Sequence, residues 1–250
     1  MPTPSRSTRK KSTPTGVVVF DMDGVLVDVR ASFRQAIGLT VAALGGGEVG
    51  ADEIQALKNS GGFNNDWDLS RELLRQRGRD VPRPEVIDVF NGFYLGPKRD
   101  GEGGLILRET WLLTEPALRQ LARRCALAVF TGRPRADAEF TLRHFGVREQ
   151  FAALVALEDV TEQKPHPDGL EQLRRQFAPL PVLAYLGDTV DDARCAAAAG
   201  IAFIGILHPD LRQRDDLARL FAAVGCQFTA PNVDQAVSRL AAAPGDGAGA

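Results

Sequence analysis

Val17-Val18-Val19-Phe20-Asp21-Met22-Asp23-Gly24-Val25 is the stretch that decides the fold of this chain. Four apolar residues run into two aspartates one residue apart, and glycine follows. A carboxylate resists desolvation unless a cation or hydrogen bonds compensate it. Alternate residues of a strand point to the same side. A continued strand therefore places Asp21 and Asp23 together, with Gly24 permitting the sharp exit. Two carboxylates so placed suit a hard cation with oxygen ligands, such as Mg2+. The competing reading is a strand closed by an Asx-type turn, which Asp and Gly also favour.

Outward from this strand the pattern becomes helical. Phe33, Ile37, Val41 and Leu44 recur at three- and four-residue steps, and Gly45-Gly46-Gly47 stops that helix. Ile54 and Leu57 mark a second helix that ends at Gly61-Gly62. Trp67, Leu69, Leu73 and Leu74 mark a third that ends near Gly78. Val86, Ile87, Val89, Phe90 and Phe93 mark a fourth, with Pro84 suited to its first turn. Residues 96–104 read as a glycine-rich, charged loop. From Thr114 onward helices alternate with short apolar strands, at Ala126–Phe130, Ala152–Ala156, Val182–Leu186 and Ala202–Ile206. Such alternation predicts βαβ crossovers and an α/β fold with a mostly parallel sheet covered on both faces. The helical stretch is then an insertion after the first strand.

The 250 residues carry 44% hydrophobic and 25% charged side chains, with a net charge of −2. These values are ordinary for a globular protein and give no pull toward nucleic acid or anionic lipid. No apolar run approaches the roughly 20 residues of a membrane helix. Cys125, Cys195 and Cys226 are far apart and lack metal-ligand spacing, so they read as thiols of a reducing, cytoplasmic setting. Residues 1–15 read as a disordered basic tail, with Arg6, Arg9, Lys10 and Lys11 and no acid. Residues 244–250 read as a second flexible tail.

Polar residues gather where strands end. In open α/β sheets ligands bind beyond the carboxyl ends of the strands. Asp21 and Asp23 follow the first strand, and Thr131-Gly132-Arg133 follow the next. Gly187-Asp188-Thr189-Val190-Asp191-Asp192 follow another, and Gln163-Lys164-Pro165-His166-Pro167 precede a helix. These segments resemble the four motifs of the haloacid dehalogenase-like hydrolases, in the right order. The first is Asp21-Met22-Asp23-Gly24-Val25, the second Thr131-Gly132, the third Lys164-Pro165 and the fourth the Gly187–Asp192 run. The helical stretch between the first two motifs resembles the helical cap of the phosphoglycolate phosphatase-like branch, subfamily IA. The resemblance implies a Rossmann-like doubly wound core over 16–29 and 106–243, with an all-helical cap over 30–105.

The resemblance further implies a Mg2+-dependent phosphatase that hydrolyses a small-molecule phosphate monoester through an aspartyl-phosphate. Asp21 would attack phosphorus. Asp23 would protonate the leaving oxygen and then activate water. Asp21, the carbonyl of Asp23, and Asp188 would hold the metal, while Asp192 would bind it directly, through water, or by orienting Lys164. Thr131, Lys164 and the backbone at Met22, Asp23 and Gly132 would bind phosphate. Asp191, facing elsewhere on its helix, reads as structural or solvent-facing. A carboxylate at Asp23 argues against the dehalogenase branch, which has no alkoxide to protonate. A phosphomutase resembling beta-phosphoglucomutase remains an alternative, as does a catalytically idle binding protein.

Substrate choice is expected from Asn64, Asn65, Trp67 and Arg133. The alternative is that Asn64 or Asp66 caps the third helix while Trp67 packs inside the helical unit. Lys58 reads as a solvated helix face or a further contact. The expected partner is a small phosphate ester, with no nucleic acid and no membrane, in a monomer or homodimer.

Overall fold

Val17–Phe20 (β1) is buried at every position and pairs in parallel on both sides. Its β-branched run suits a strand that is covered on both faces. The computed structural model describes residues 13–63, 65–211 and 213–242. The two tail assignments therefore lie largely outside the described residues, as does Asn64. Thr15, assigned to the first tail, donates its backbone N–H to the Arg124 carbonyl at 2.8 Å.

Among the described residues five further strands join the sheet: Ala126–Phe130 (β4), Ala153–Val155 (β5), Val182–Gly187 (β6), Phe203–Ile206 (β7) and Phe228–Ala230 (β8). Their order is β5-β4-β1-β6-β7-β8, and every pair is parallel. The strand order reverses at β1, so the crevice lies at its C-terminal end between β4 and β6. Alternation sends Val17 and Val19 to one face and Val18 and Phe20 to the other. The first face packs on Asp168–Phe177 (α7), Val190–Ala199 (α8) and Arg214–Ala223 (α9) through Leu170, Leu173, Ala193, Leu217 and Phe221. The second packs on Glu115–Ala122 (α5), Arg135–His144 (α6) and Val233–Ala242 (α10) through Leu118, Leu142, Val233 and Val237.

The helical insertion comprises Phe33–Ala43 (α1), Ala51–Ser60 (α2), Asp66–Gln76 (α3) and Arg83–Tyr94 (α4). Each lies within a few residues of its sequence expectation. Phe33, Phe90 and Tyr94 stack at its centre, with 4.2 Å between the ring centroids of Phe33 and Tyr94. The chain enters and leaves the insertion through a short antiparallel pair, Val27–Asp28 (β2) and Thr110–Trp111 (β3). Their two-residue length leaves no periodicity to detect. β8 and α10 were also not expected. Phe228-Thr229-Ala230 offers only three residues, too few for a strand pattern.

β1 ends at Phe20 rather than continuing through the aspartates. Asp21 still donates its N–H to the Leu186 carbonyl at 2.8 Å. Gly24 then turns the chain with φ +77°, and Asp23 bridges to Val27. Among the described residues no helix is long and apolar enough to cross a membrane.

Candidate active site

The crevice at the end of β1 opens into a cavity of about 400 Å3. Asp21, Asp23, Gly24, Gly132 and Asp188 form its sheet side, while Arg34, Gln55 and Lys58 face it from the insertion. Asp21 and Asp23 thus share one cavity, as expected, although a turn and not a strand brings them there.

Lys164 is buried beside Asp21 and links it to Asp192. Its Nζ donates to Asp21 Oδ1 at 2.6 Å and to Asp192 Oδ1 at 2.8 Å. The ammonium also lies 4.8 Å from the Phe130 ring centre and 5.3 Å from that of Tyr185. Burial works against its charge, and the two carboxylates more than offset this, so its pKa rises. Burial drives Asp21 well above the ordinary carboxylate range; Lys164 opposes this, and Asp192, Asp23 and Asp188 add to it.

Asp192 lies in the first turn of α8. Its Oδ1 also accepts from the Tyr185 hydroxyl at 2.7 Å, and its Oδ2 accepts from Thr189 N and Oγ1 at 3.1 and 2.6 Å. Thr189 Oγ1 in turn accepts from Asp192 N, which makes a reciprocal cap for α8. Burial pushes Asp192 up, but Lys164, Thr189 and Tyr185 together hold it below its ordinary value. Both oxygens of Asp192 are thus engaged by protein donors, one of them Lys164. Tyr185 carried one detectable signal: a hydroxyl inside an otherwise apolar strand needs a partner.

Asp21, Asp188 and Asp192 place carboxylate oxygens within 4.8 Å of one another. Among the described residues Asp188 Oδ1 is buried without a hydrogen-bond partner. Burial, followed by repulsion from Asp192, raises Asp188 to about 7. An all-oxygen set with an orphaned acceptor fits a hard dication such as Mg2+.

Thr131 is buried, and its Oγ1 accepts from Arg133 N at 3.1 Å, which leaves its hydroxyl proton free to donate. Arg133 is 1% exposed. Its Nε donates to Asp23 Oδ1 at 2.6 Å, and its Nη1 donates to Glu109, Tyr94 and Thr141 at 3.0, 3.0 and 2.9 Å. Arg133 was expected to touch substrate, yet its guanidinium is occupied by protein groups. Glu109 was missed because a lone acid in Leu107-Arg108-Glu109-Thr110 has no telling spacing.

Asn65 caps α3, accepting from Trp67 N at 3.0 Å and Asp68 N at 3.3 Å. Trp67 packs against the insertion's core. Both border a small second cavity of about 20 Å3 rather than the large one. The cap thus falls on Asn65 rather than on Asn64 or Asp66, while Trp67 takes its packing alternative. Lys58 faces the large cavity and pairs with Asp66 at 3.0 Å. Arg34 and Gln55 also line it, with Arg34 Nη2 donating to Gln55 Oε1 at 2.8 Å. Gln55 and Lys58 are three residues apart on α2, a helix-face spacing that marks them in retrospect.

Asp191 takes the structural reading rather than the solvent-facing one. It is buried and accepts from Gly62 N at 2.8 Å, which ties the α2–α3 loop to the start of α8.

Residues 15–200 match the family model of haloacid dehalogenase-like hydrolases. The chain belongs to that family. A phosphoglycolate phosphatase of Rhodobacter capsulatus is 25% identical over 187 residues, which cover 75% of this chain and 82% of that protein. An imidazoleglycerol-phosphate dehydratase of Phytophthora nicotianae is 34% identical over 221 residues, 86% of this chain. This chain spans only 48% of that longer protein. A subfamily IA hydrolase structure from Geobacter sulfurreducens superposes with a TM-score of 0.61 at 19% identity, covering 92% of this chain and 99% of its own. The phosphatase Tt82 of Thermococcus thioreducens gives 0.59 at 25% identity, with 83% and 98% coverage.

Proposed function

We propose that this hydrolase removes phosphate from a small-molecule monoester in two steps through Asp21. The observation that carries the reading is the buried Lys164–Asp21 contact, with Asp21 and Asp188 lining a cavity large enough for a leaving group. Asp21 and Asp188, with the Asp23 carbonyl, would hold Mg2+. The cation would offset the repulsion between carboxylate and phosphate when bound.

In the first step an Asp21 oxygen bonds to phosphorus and the ester P–O bond breaks. The leaving oxygen keeps the electron pair and takes a proton from Asp23. In the second, water attacks phosphorus and gives its proton to Asp23. The P–O bond to Asp21 breaks, so phosphate leaves and the carboxylate is restored. Lys164 fixes Asp21 and balances its charge. Thr131 and backbone N–H groups at Met22, Asp23 and Gly132 would hold the phosphate oxygens. Residues 30–105 would act as a cap that shields the reaction from bulk water.

Phosphoglycolate and imidazole-bearing phosphate esters, suggested by the relatives' names, are the first substrates to try. The test is phosphate release from such a panel with Mg2+ and with EDTA, beside Asp21→Asn. Metal-dependent release that vanishes in the variant supports the reading. Release that persists in Asp21→Asn, or none from the wild type, overturns it.

A further inference from the structure

We propose that Arg133 is a positioning residue for Asp23 and couples its placement to the helical insertion. The inference rests on the reading of Asp23 as acid and base. Asp23 is poorly constrained by its own surroundings: its side chain is 26% exposed, and the backbone turns away at Gly24. A general acid must lie within hydrogen-bond reach of the oxygen it serves. Arg133 supplies the missing constraint. Nε bonds Asp23 Oδ1 at 2.6 Å, and Nη2 pairs with the same oxygen. Charge-assisted bonds of this kind are short and directional.

The guanidinium offers only protons, so the oxygen facing it is not the one that receives a proton from water. Proton exchange with substrate and water then falls to Oδ2. This splits the carboxylate into an anchored oxygen and a working one.

What holds Arg133 comes largely from the insertion and its two connections. Glu109 precedes β3; its Oε2 accepts from Arg133 at 3.0 Å, and its Oε1 accepts from Ser32 Oγ at 3.0 Å and Tyr94 Oη at 3.1 Å. Ser32 stands at the start of α1 and Tyr94 at the end of α4. Phe33 lies 4.8 Å from the guanidinium carbon. Thr141 of α6 holds the same Nη1 at 2.9 Å, so Arg133 joins the insertion to the sheet, and a movement between them would bear on Asp23 through it. A substrate that closes the insertion also sets its own acid.

The test is a double-mutant cycle on purified Mg2+-loaded protein. Activity of the wild type, lost in Asp21→Asn, first establishes the reaction, so failure of that reading is seen separately. Arg133→Met is then measured alone and in Asp23→Asn, with an alkyl phosphate and with p-nitrophenyl phosphate, whose leaving group departs unaided. If Arg133 acts through Asp23, Arg133→Met lowers kcat on the alkyl ester by about tenfold or more while KM moves less than about twofold. In Asp23→Asn the same change costs less than about twofold on p-nitrophenyl phosphate. Equal losses in both backgrounds would reduce Arg133 to a structural residue. A rise in KM at constant kcat would return it to substrate contact. Arg133→Met leaves Glu109 charged and buried. If that variant does not fold, Arg133→Met with Glu109→Gln removes both charges and carries the same cycle.

Discussion

Gly62 N lies 2.8 Å from Asp191 Oδ2, so a main-chain donor of the insertion rests on the first turn of the helix that carries Asp192. This hydrogen bond fastens the α2–α3 loop beside the metal-ligand candidates. Gly61 is pressed equally close: an added Cβ would come within 2.3 Å of Arg194 Nη1 and 3.0 Å of Asp191 Oδ1. Asp191→Ala removes the acceptor without touching any group assigned to the chemistry. The loss of one such bond, about 1 kcal/mol, should raise KM about fivefold and leave kcat within about twofold. Steady-state kinetics checks this, and unchanged KM would mean that the loop is held without Asp191.

Lys164 has the opposite character, since two buried carboxylates depend on it. Lys164→Met leaves Asp21 and Asp192 buried without their cation. Removing one partner of a buried ion pair costs about 3–5 kcal/mol. The variant should melt well below the wild type and lose phosphate release altogether. Mg2+ should recover part of the stability, because a dication can neutralise the same oxygens, but none of the activity. Thermal unfolding with and without Mg2+ reads both outcomes.

Gly24 tests how closely the first motif approaches the fourth. Its φ is +77°, and an added Cβ would stand 2.0 Å from Asp188 Oδ2. Gly24→Ala therefore meets both backbone strain and a collision with a metal-ligand candidate. Destabilisation of about 1–3 kcal/mol is expected, with a weakened response to Mg2+ because Asp188 must turn aside. A variant that binds Mg2+ as the wild type does would show that Asp188 can shift without leaving its ligand position.

The four motifs were readable because three follow strand ends and one precedes a helix, and together they hold residue types that turns do not require. Asp188 and Lys164 are such residues, and the parallel sheet brings them to one edge as the alternation implied. The helices of the insertion were readable from Phe33, Leu69 and Val86, whose spacing follows the buried stripe. What the sequence concealed depends on contacts between distant segments. Arg133 looked available because it follows Thr131 directly, yet Glu109 and Tyr94 claim it from 24 and 39 residues away. Asn65 and Trp67 looked like substrate contacts because polar residues and a tryptophan cluster there. Helix capping and core packing use the same residue types. The cavity wall of Arg34, Gln55 and Lys58 is spread over two helices, and only their packing shows which faces meet.

Asp188 makes the site sensitive to pH. Its carboxyl is raised to about 7 by burial and then by Asp192, against an ordinary value of 3.8. In the metal-free protein the folded state therefore holds a proton that the unfolded chain releases above about 4. Wherever the folded state binds more protons, stability falls as pH rises. The contribution from Asp188 is thus full below about 4, declines toward about 7, and is flat beyond. Asp188→Asn should remove this part of the decline, so the difference between the melting curves of variant and wild type isolates it. A dication needs the ionised form, so its binding must expel the proton. Apparent Mg2+ affinity should weaken about tenfold for each pH unit below about 7 and level off above it. Calorimetric titrations one unit either side of that value, in buffers of different ionisation heat, measure the proton directly. An affinity that is flat across this range, with no proton released, would place the metal away from Asp188.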